Sequence, residues 1–470
     1  MGTKRKRKTE GRHAALNMAE QGLLSLRQRA ALVLRLSVPG ILAQVSEIAM
    51  EYIDAAMVGS LGADCTAAIG LTASTTWLIG GILLGAAAGI NVQIAQEVGA
   101  GRNERARRVL HTGCLSCLIL SLVLALICLV LTKRLPYLLG GSGEVARLSS
   151  VYFGILAAGL PIQMAFYFHN GALQSAGSMA QAGALSALAC VLDIVFNALL
   201  IFPTREIIGV EVPGAGLGLV GAALGTVLSQ LVSAVLAILA VHAGSPVLSV
   251  HRGERGFFDA GILKRQVQIG GPVALEQVIL CGAQVVTTRL ASPLGTVPLA
   301  ANSLAVTAEA VCYMPGYGIA SAATTLVGQA FGAGRRDLVR SFSWMTVFLG
   351  MALMTLTGGA MYVLCPYVFS FLTPDPAVQS LGARVLRIEL LAEPLFAASI
   401  VAAGALRGVG DTLVPAVMTF VSMWGVRISL SLILTPRLGL WGIWIAMCLE
   451  LMFRGTIFLI RLHRSLRKMA

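Results

Sequence analysis

The chain has 470 residues, of which 56% are hydrophobic and 12% charged, about half the charge of an average soluble domain. With a mean hydropathy of +0.81, it has too few charges to cover a soluble core of this size and is too apolar for disorder. The apolar stretches are continuous rather than alternating, which excludes an outer-membrane barrel and leaves an all-α polytopic membrane protein.

Residues 1–32 are basic and polar, beginning Lys4-Arg5-Lys6-Arg7-Lys8, with no apolar core of a cleavable signal. The first span is therefore expected to act as an uncleaved insertion signal. No Asp, Glu, Lys or Arg occurs from Cys65 to Gln96, Val109 to Thr132, Leu148 to Leu192, Val212 to His251 or Ser341 to Pro374. A span needs about 20 apolar residues. Twelve spans are predicted: 33–58, 67–94, 109–131, 149–172, 180–202 and 217–241, then 266–288, 298–329, 342–365, 380–403, 412–434 and 439–461. Those at 67–94 and 298–329 exceed the bilayer and are expected to be tilted or broken.

The net charge of +13 does not point to nucleic acid, because the basic residues sit in short loops between spans. With both termini in the cytoplasm, 25 Lys and Arg fall on the cytoplasmic side and eight on the other, which follows the positive-inside rule. All nine cysteines lie in apolar runs except Cys65, at a helix start. They read as small buried hydrophobes rather than a disulfide framework. Cys114 and Cys117 have CxxC spacing but no second pair and no nearby histidine, so no zinc site is expected.

The chain repeats itself at an offset of 233 residues. Pro39 falls on Pro272, Gln44-Val45 on Gln277-Val278, Leu61-Gly62 on Leu294-Gly295, and Gly99-Ala100-Gly101-Arg102 on Gly332-Ala333-Gly334-Arg335. No gap is needed from 39 to 107, where 17 of 69 positions are identical. Pro161 matches Pro394 and Gly171-Ala172-Leu173 matches Gly404-Ala405-Leu406 at the same offset. Six spans per half give the halves the same orientation, a parallel repeat. The expected organisation is an N-lobe at 33–241, a cytoplasmic linker at 242–265, a C-lobe at 266–462 and a basic tail at 463–470. Two lobes suit an alternating-access transporter.

The ordered motifs Leu36-Ser37-Val38-Pro39, Ile53-Asp54, Leu61-Gly62, Gly99-Ala100-Gly101, Val327-Gly328-Gln329 and Gly404-Ala405-Leu406-Arg407-Gly408 resemble the multidrug and toxic compound extrusion (MATE) transporters, most of all their DNA-damage-inducible branch. The resemblance covers about residues 33–460. It implies a cation-coupled antiporter of organic, cationic or amphipathic compounds, monomeric, in the cell membrane (the inner membrane where the host is Gram-negative), using H⁺ or Na⁺ and no other cofactor.

The first span carries Glu47, Glu51 and Asp54. Spacings of four and seven put the three acids on one helix face, which cannot face lipid. That face either lines a wet cavity or forms a satisfied polar network. Crowded carboxylates in low dielectric suit proton uptake and release near neutral pH. The fifth span has Asp193 and Asn197 one turn apart. By resemblance, Asp54, Asp193, Asn197 and Thr226 match the family's N-lobe polar network, a candidate Na⁺ site. Here the family's Asn-then-Asp order is reversed, so one acid and one amide remain in altered geometry. Pro39 matches the family's first-span hinge proline and reads otherwise as a helix-start proline.

In the second half Thr287 stands opposite Asp54 and Leu280 opposite Glu47, so coupling is expected in the N-lobe. Glu276 and Glu309 are candidate C-lobe cavity acids. Glu389 and Glu393 are expected to pair with Arg384 or Arg387, and Arg427 to neutralise an acid. His169 reads as a structural histidine. Two rivals are weaker. A lipid-linked oligosaccharide flippase would use a cavity rich in Arg and Lys, and the basic residues available here beyond those assigned to the two membrane faces are Arg427 and Arg454. An intramembrane enzyme would need a nucleophile or metal set that the sequence lacks.

Overall fold

The computed structural model describes residues 24–207, 210–249 and 258–469. Most of the basic N-terminal segment and positions 250–257 of the linker lie outside the described residues. The first half contains α1 (Leu26–Gly59), α2 (Ala63–Gly99), α3 (Asn103–Leu131), a single turn α4 (Leu135–Leu138), α5 (Gly143–Ser175), α6 (Met179–Ile201) and α7 (Leu219–His242). The second contains α8 (Ala260–Ala291), α9 (Thr296–Gly332), α10 (Arg336–Leu372), α11 (Pro376–Glu389), α12 (Glu393–Val409), α13 (Leu413–Phe420), α14 (Ser429–Leu438) and α15 (Leu440–Met469). Among the described residues, eleven helical stretches are long and apolar enough to cross a membrane.

The predicted tenth span is α11 and α12 joined by a 3₁₀ turn, Leu390–Ala392. Pro394 opens α12 and has no N–H to offer the Leu390 carbonyl, which removes one helical hydrogen bond at the turn. The eleventh span is α13 and α14 joined by a π-helical segment, Val421–Ile428. Twelve spans in a parallel two-lobe repeat are thus present, with two additions to the all-α expectation. One is this pair of non-α segments. The other is a hairpin of β1 (Pro203–Ile207) and β2 (Val210–Ala215), antiparallel with Arg205 opposite Val212, between the fifth and sixth spans. Of the two alternatives for the long spans, tilted or broken, the broken one is not found. Both α2 and α9 run for 37 residues as continuous helices, about 55 Å of rise.

By contacts the described residues form two compact units. One comprises those of Met1–Val45, Ala95–Arg102 and Leu275–Ala470, the other those of Ser46–Ile94 and Asn103–Ala274. The division does not fall at the linker, because glycine contacts tie helix ends to the opposite half of the sequence. Within the first unit, a Cβ on Gly40 would stand 2.6 Å from the Gly318 carbonyl oxygen, so α1 and α9 touch through bare backbone. Within the second, a Cβ on Gly270 would stand 2.5 Å from the Gly85 oxygen, which brings α8 against α2 in the same manner.

The duplicated Gly-Ala-Gly-Arg motif has two separate functions. Gly99 and Gly332 lie where a side chain would run into the backbone carbonyls of Gln329 and Gln96 respectively. Gly101 and Gly334 both take φ of +70°, the left-handed cap that ends a helix. There the amide of Arg102 donates to the Glu97 carbonyl at 3.0 Å and that of Arg335 to the Ala330 carbonyl at 3.0 Å. Gln96 adds a crosslink, its Nε2 donating to the Gly408 carbonyl at 2.8 Å.

Gly332→Ala is therefore expected to lower the melting temperature of the purified protein, because backbone must move to admit the methyl. Gly70 has nothing within 4 Å of an added Cβ, and Gly70→Ala should leave stability unchanged or raise it by up to about 1 kcal/mol. Thermal unfolding of the two variants side by side checks the contrast.

Candidate functional site

Two acids of the first half, Asp54 and Asp193, meet inside the second compact unit. Asn197, buried in α6, donates from one amide nitrogen to Asp54 Oδ1 at 2.9 Å and to Asp193 Oδ2 at 3.0 Å. One amide group thus joins a carboxylate of the first span to one of the fifth. Asp193 and Asn197 are four residues apart on α6, which places both groups at the same level of the helix. Asp193 Oδ1 lies 3.2 Å from the Ser229 hydroxyl of α7. That hydroxyl also lies 2.9 Å from the Thr226 carbonyl, and its single proton serves one acceptor at a time. Thr226 stands within hydrogen-bond reach of Asp193 and returns its own hydroxyl to Ala222 at 3.2 Å.

The network depends on tight helix packing. A Cβ on Gly221 would stand 2.5 Å from the Leu200 carbonyl carbon, and one on Gly225 would collide with Asn197 Oδ1. These glycines, one turn apart on α7, let α6 and α7 approach and leave the seat in which the amide rests. Asn197 Oδ1 is buried against that seat without a hydrogen-bond partner among the described residues. The amide therefore presents hydrogens, not oxygen, to both carboxylates. This is a poor fit for sodium, which wants about six oxygens by analogy with other hard cations. Among the described residues no group of three or more His, Cys, Asp or Glu is placed to hold a metal ion.

Glu47 and Glu51 continue the Asp54 face along α1 and are exposed. Glu47 lies near Tyr167 of α5 and Cys190 of α6, and Glu51 near Tyr167 and Asp54. The three acids thus share one face, turned toward the fourth and fifth spans. Pro39 is interior to α1, which begins at Leu26, so it is not a helix-start proline. It removes the amide that would bond the Arg35 carbonyl, and it lies in the first compact unit.

The repeat-related position carries no such network. Thr287 is buried and bonds back to the Ala283 carbonyl at 2.8 Å, and Leu280 packs into a small apolar cluster. Glu276 accepts from the Thr419 hydroxyl at 2.9 Å. Glu309 is buried among Arg427, Arg454 and Glu450, so Glu276 and Glu309 have different partners. Arg427 lies near Glu450, Glu309 and Glu389, while its guanidinium contacts the sulfurs of Met423 and Met447. The pairing of Glu389 and Glu393 with arginines of their own span is not found. Arg387 donates to the Tyr362 carbonyl at 3.0 Å and lies 5.2 Å over the Tyr362 ring, and Arg384 is exposed.

Sequence reasoning missed Ser229, although its position three residues after Thr226 puts it on the same helix face. It also missed Gly225, whose role is visible only against Asn197. His169 is not alone: its ring lies 5.6 Å from that of His242, which stacks on His111 at 6.4 Å. Its Nδ1 faces the Ala165 carbonyl at 2.8 Å, as a structural histidine does.

Gly225→Ala should push Asn197 off both carboxylates. We expect transport to fall to background while membrane insertion persists. Asn197→Asp, which adds a third acid to the cluster, should also impair transport. Flux assays in reconstituted vesicles, normalised to inserted protein, check both.

The MatE family model matches residues 39–199 and 272–433, once in each half. Curated relatives include a probable multidrug resistance protein NorM of Bradyrhizobium diazoefficiens, 29% identical with 93% of each chain covered. A second is a probable NorM of Thermotoga maritima, 24% identical with 91% of each covered. Among solved structures, an outward-facing multidrug resistance MATE family transporter of the MOP superfamily superposes with a TM-score of 0.89 at 20% identity, covering 97% of this chain and 98% of that one. A MOP superfamily transporter from Pyrococcus furiosus gives 0.87 at 20%, covering 94% and 96%. Neighbours at that identity establish the fold, and the doubled family match establishes the lineage: the chain belongs to the MatE family of multi-pass membrane transporters and is not an enzyme.

Proposed function

We propose that the protein is a proton-coupled antiporter that exports organic, cationic or amphipathic compounds across the bacterial inner membrane. The observation that carries the reading is the Asp54–Asn197–Asp193 bridge in a member of this family. Two carboxylates held by one amide can share a proton and pass it on as their surroundings change. The amide hydrogens between them favour protons over sodium. The NorM relatives are named for multidrug resistance, and exposed Glu47 and Glu51 on the Asp54 face supply negative charge that would attract an organic cation. In this reading the moving lobes are residues 33–241 and 266–462, Pro39 is a hinge in the first span, and the protein works as a monomer.

Asp54→Asn should reduce gradient-driven efflux to background with the protein still inserted, and Asp193→Asn should have a similar or smaller effect. With the pH gradient clamped at zero, an imposed sodium gradient should drive no uptake of an organic cation into inverted vesicles. Robust sodium-driven uptake under that clamp would reverse the choice of ion.

The distribution of Lys and Arg supports a cytoplasmic position for both termini. A single cysteine at position 103, in a background without the native cysteines, should resist impermeant maleimide added from the periplasmic side. Labelling from that side in intact cells would overturn the orientation.

A further inference from the structure

We propose that three histidines of the first half form a pH-sensitive latch on the start of the linker, which they fasten when neutral and release when protonated. Three of the chain's six histidines meet in one place, one from each of three helices, and none belongs to the Asp54–Asp193 network. His242 is the last residue of α7. Its ring stands 5.6 Å from that of His169 on α5 and 6.4 Å from that of His111 on α3. His169 is buried, and His111 and His242 are half-buried. His111 Nε2, His169 Nε2 and His242 Nδ1 are each sealed from solvent without a hydrogen-bond partner among the described residues. The packing makes room for rings here. A Cβ on Gly113, two residues after His111, would stand 2.9 Å from Phe168 Cε2, and Phe168 meets the His169 ring edge-on at 5.0 Å.

The linker begins on this cluster. Residues 243–249 follow His242 directly, and Ser245, Val247 and Leu248 are buried. Ser245 folds the segment into a turn. Its hydroxyl oxygen accepts from the amides of Val247 at 3.4 Å and Leu248 at 3.2 Å, and its carbonyl accepts from the amide of Ser249 at 3.1 Å. Arg107, one turn before His111 on α3, donates to the Val247 carbonyl at 3.3 Å. The strap 243–249 thus ties the end of α7 to α3, the same two helices that the rings of His242 and His111 bring together.

Among the described residues no carboxylate is placed to pair with a charged ring. The ionisable groups acting on His169 and His242 are each other and His111. On α3, Arg107 is turned to the strap, Glu104 and Arg108 are exposed, and the thiol of Cys114 follows one turn after His111. On α5, Tyr167 lies near Glu47 and Glu51, and Glu144 is paired with Arg147 at the other end of the helix. The one charged residue of α6 is Asp193, engaged by Asn197 and Ser229, and on α2 Glu97 is held by Arg102 at 2.7 Å. Asp259 caps the start of α8, where Lys264 and Arg265 add only cations. A proton on the packed cluster is therefore an unpaired buried charge, and a second repels the first. Such a charge is costly, so proton uptake goes with opening, in which the end of α7 lifts and the rings reach water. The fastened strap binds fewer protons than the released one, and release grows as pH falls through the range of free imidazole. The latch stands whichever ion drives export.

The test uses the full-length protein in lipid nanodiscs. Hydrogen exchange is read on the amides of Val247, Leu248 and Ser249 and corrected for the intrinsic effect of pH on exchange. Between about pH 6.5 and about pH 5.5 it should speed up about tenfold for one proton taken up per opening, and about a hundredfold for two. The amide of Arg335, which closes a helix end in the first compact unit, should show no such slope. His242→Gln keeps a neutral polar side chain at every pH and removes the ring between the other two. It should flatten the response while the strap stays protected at neutral pH. His169→Gln should flatten it as well, so the result does not hang on the folding of one variant. Strap exchange that ignores pH in the native protein would overturn the latch. So would a slope undiminished in either variant, or one shared by the Arg335 amide.

Discussion

The bilayer offers no water to a buried polar group, and the fold is arranged around that constraint. Continuous helices satisfy their backbone internally, so α2 and α9 run unbroken for 37 residues each. Irregular backbone inside the apolar region needs a reason. The 3₁₀ turn Leu390–Ala392 and the π segment Val421–Ile428 both lie beside buried ionisable side chains, Glu389 and Glu393 in the first case and Arg427 in the second. There Ser422 reaches Glu450, while Arg427 rests among the sulfurs of Met423 and Met447.

The same constraint explains the two different treatments of acids. In the first half, Asp54 and Asp193 are given donors by Asn197, and Asp193 gains Ser229 as well. In the second half, Glu450 is given an arginine and a hydroxyl, while Glu389 and Glu393 are given nothing. Polar groups with designed partners hold position. Those without partners are neutral or destabilising.

Much of this was legible in the sequence because hydropathy and repetition are one-dimensional signals. Charge-free runs located the spans to within a few residues, and the 233-residue offset exposed the duplication, which the family match at 39–199 and 272–433 repeats at nearly the same spacing. The three acids of α1 were placed on one face by helical periodicity alone. Other features were not legible because they depend on what lies opposite. Gly225 reads as one glycine among many until Asn197 is placed against it. Arg387, two residues from Glu389, looked like a partner in sequence, yet its side chain is held by the Tyr362 carbonyl. The hairpin of β1 and β2 spans too few residues to stand out between two strongly apolar helices.

The crossing of α2 and α9 has a form of its own. Gly99 meets the carbonyl of Gln329, and Gly332 meets that of Gln96, each glycine three residues beyond the counterpart of the residue it touches. A contact in which position i meets j′ while i′ meets j is isologous, the kind that closes a two-fold dimer. Two separate half-length polypeptides could use the same four residues to find each other, each as host and guest at once. The 470-residue chain is in this respect a tethered dimer. Its linker supplies effective concentration to a pairing that the helices already specify, and the duplicated glycines are conserved between the halves because neither can change without the other's backbone giving way.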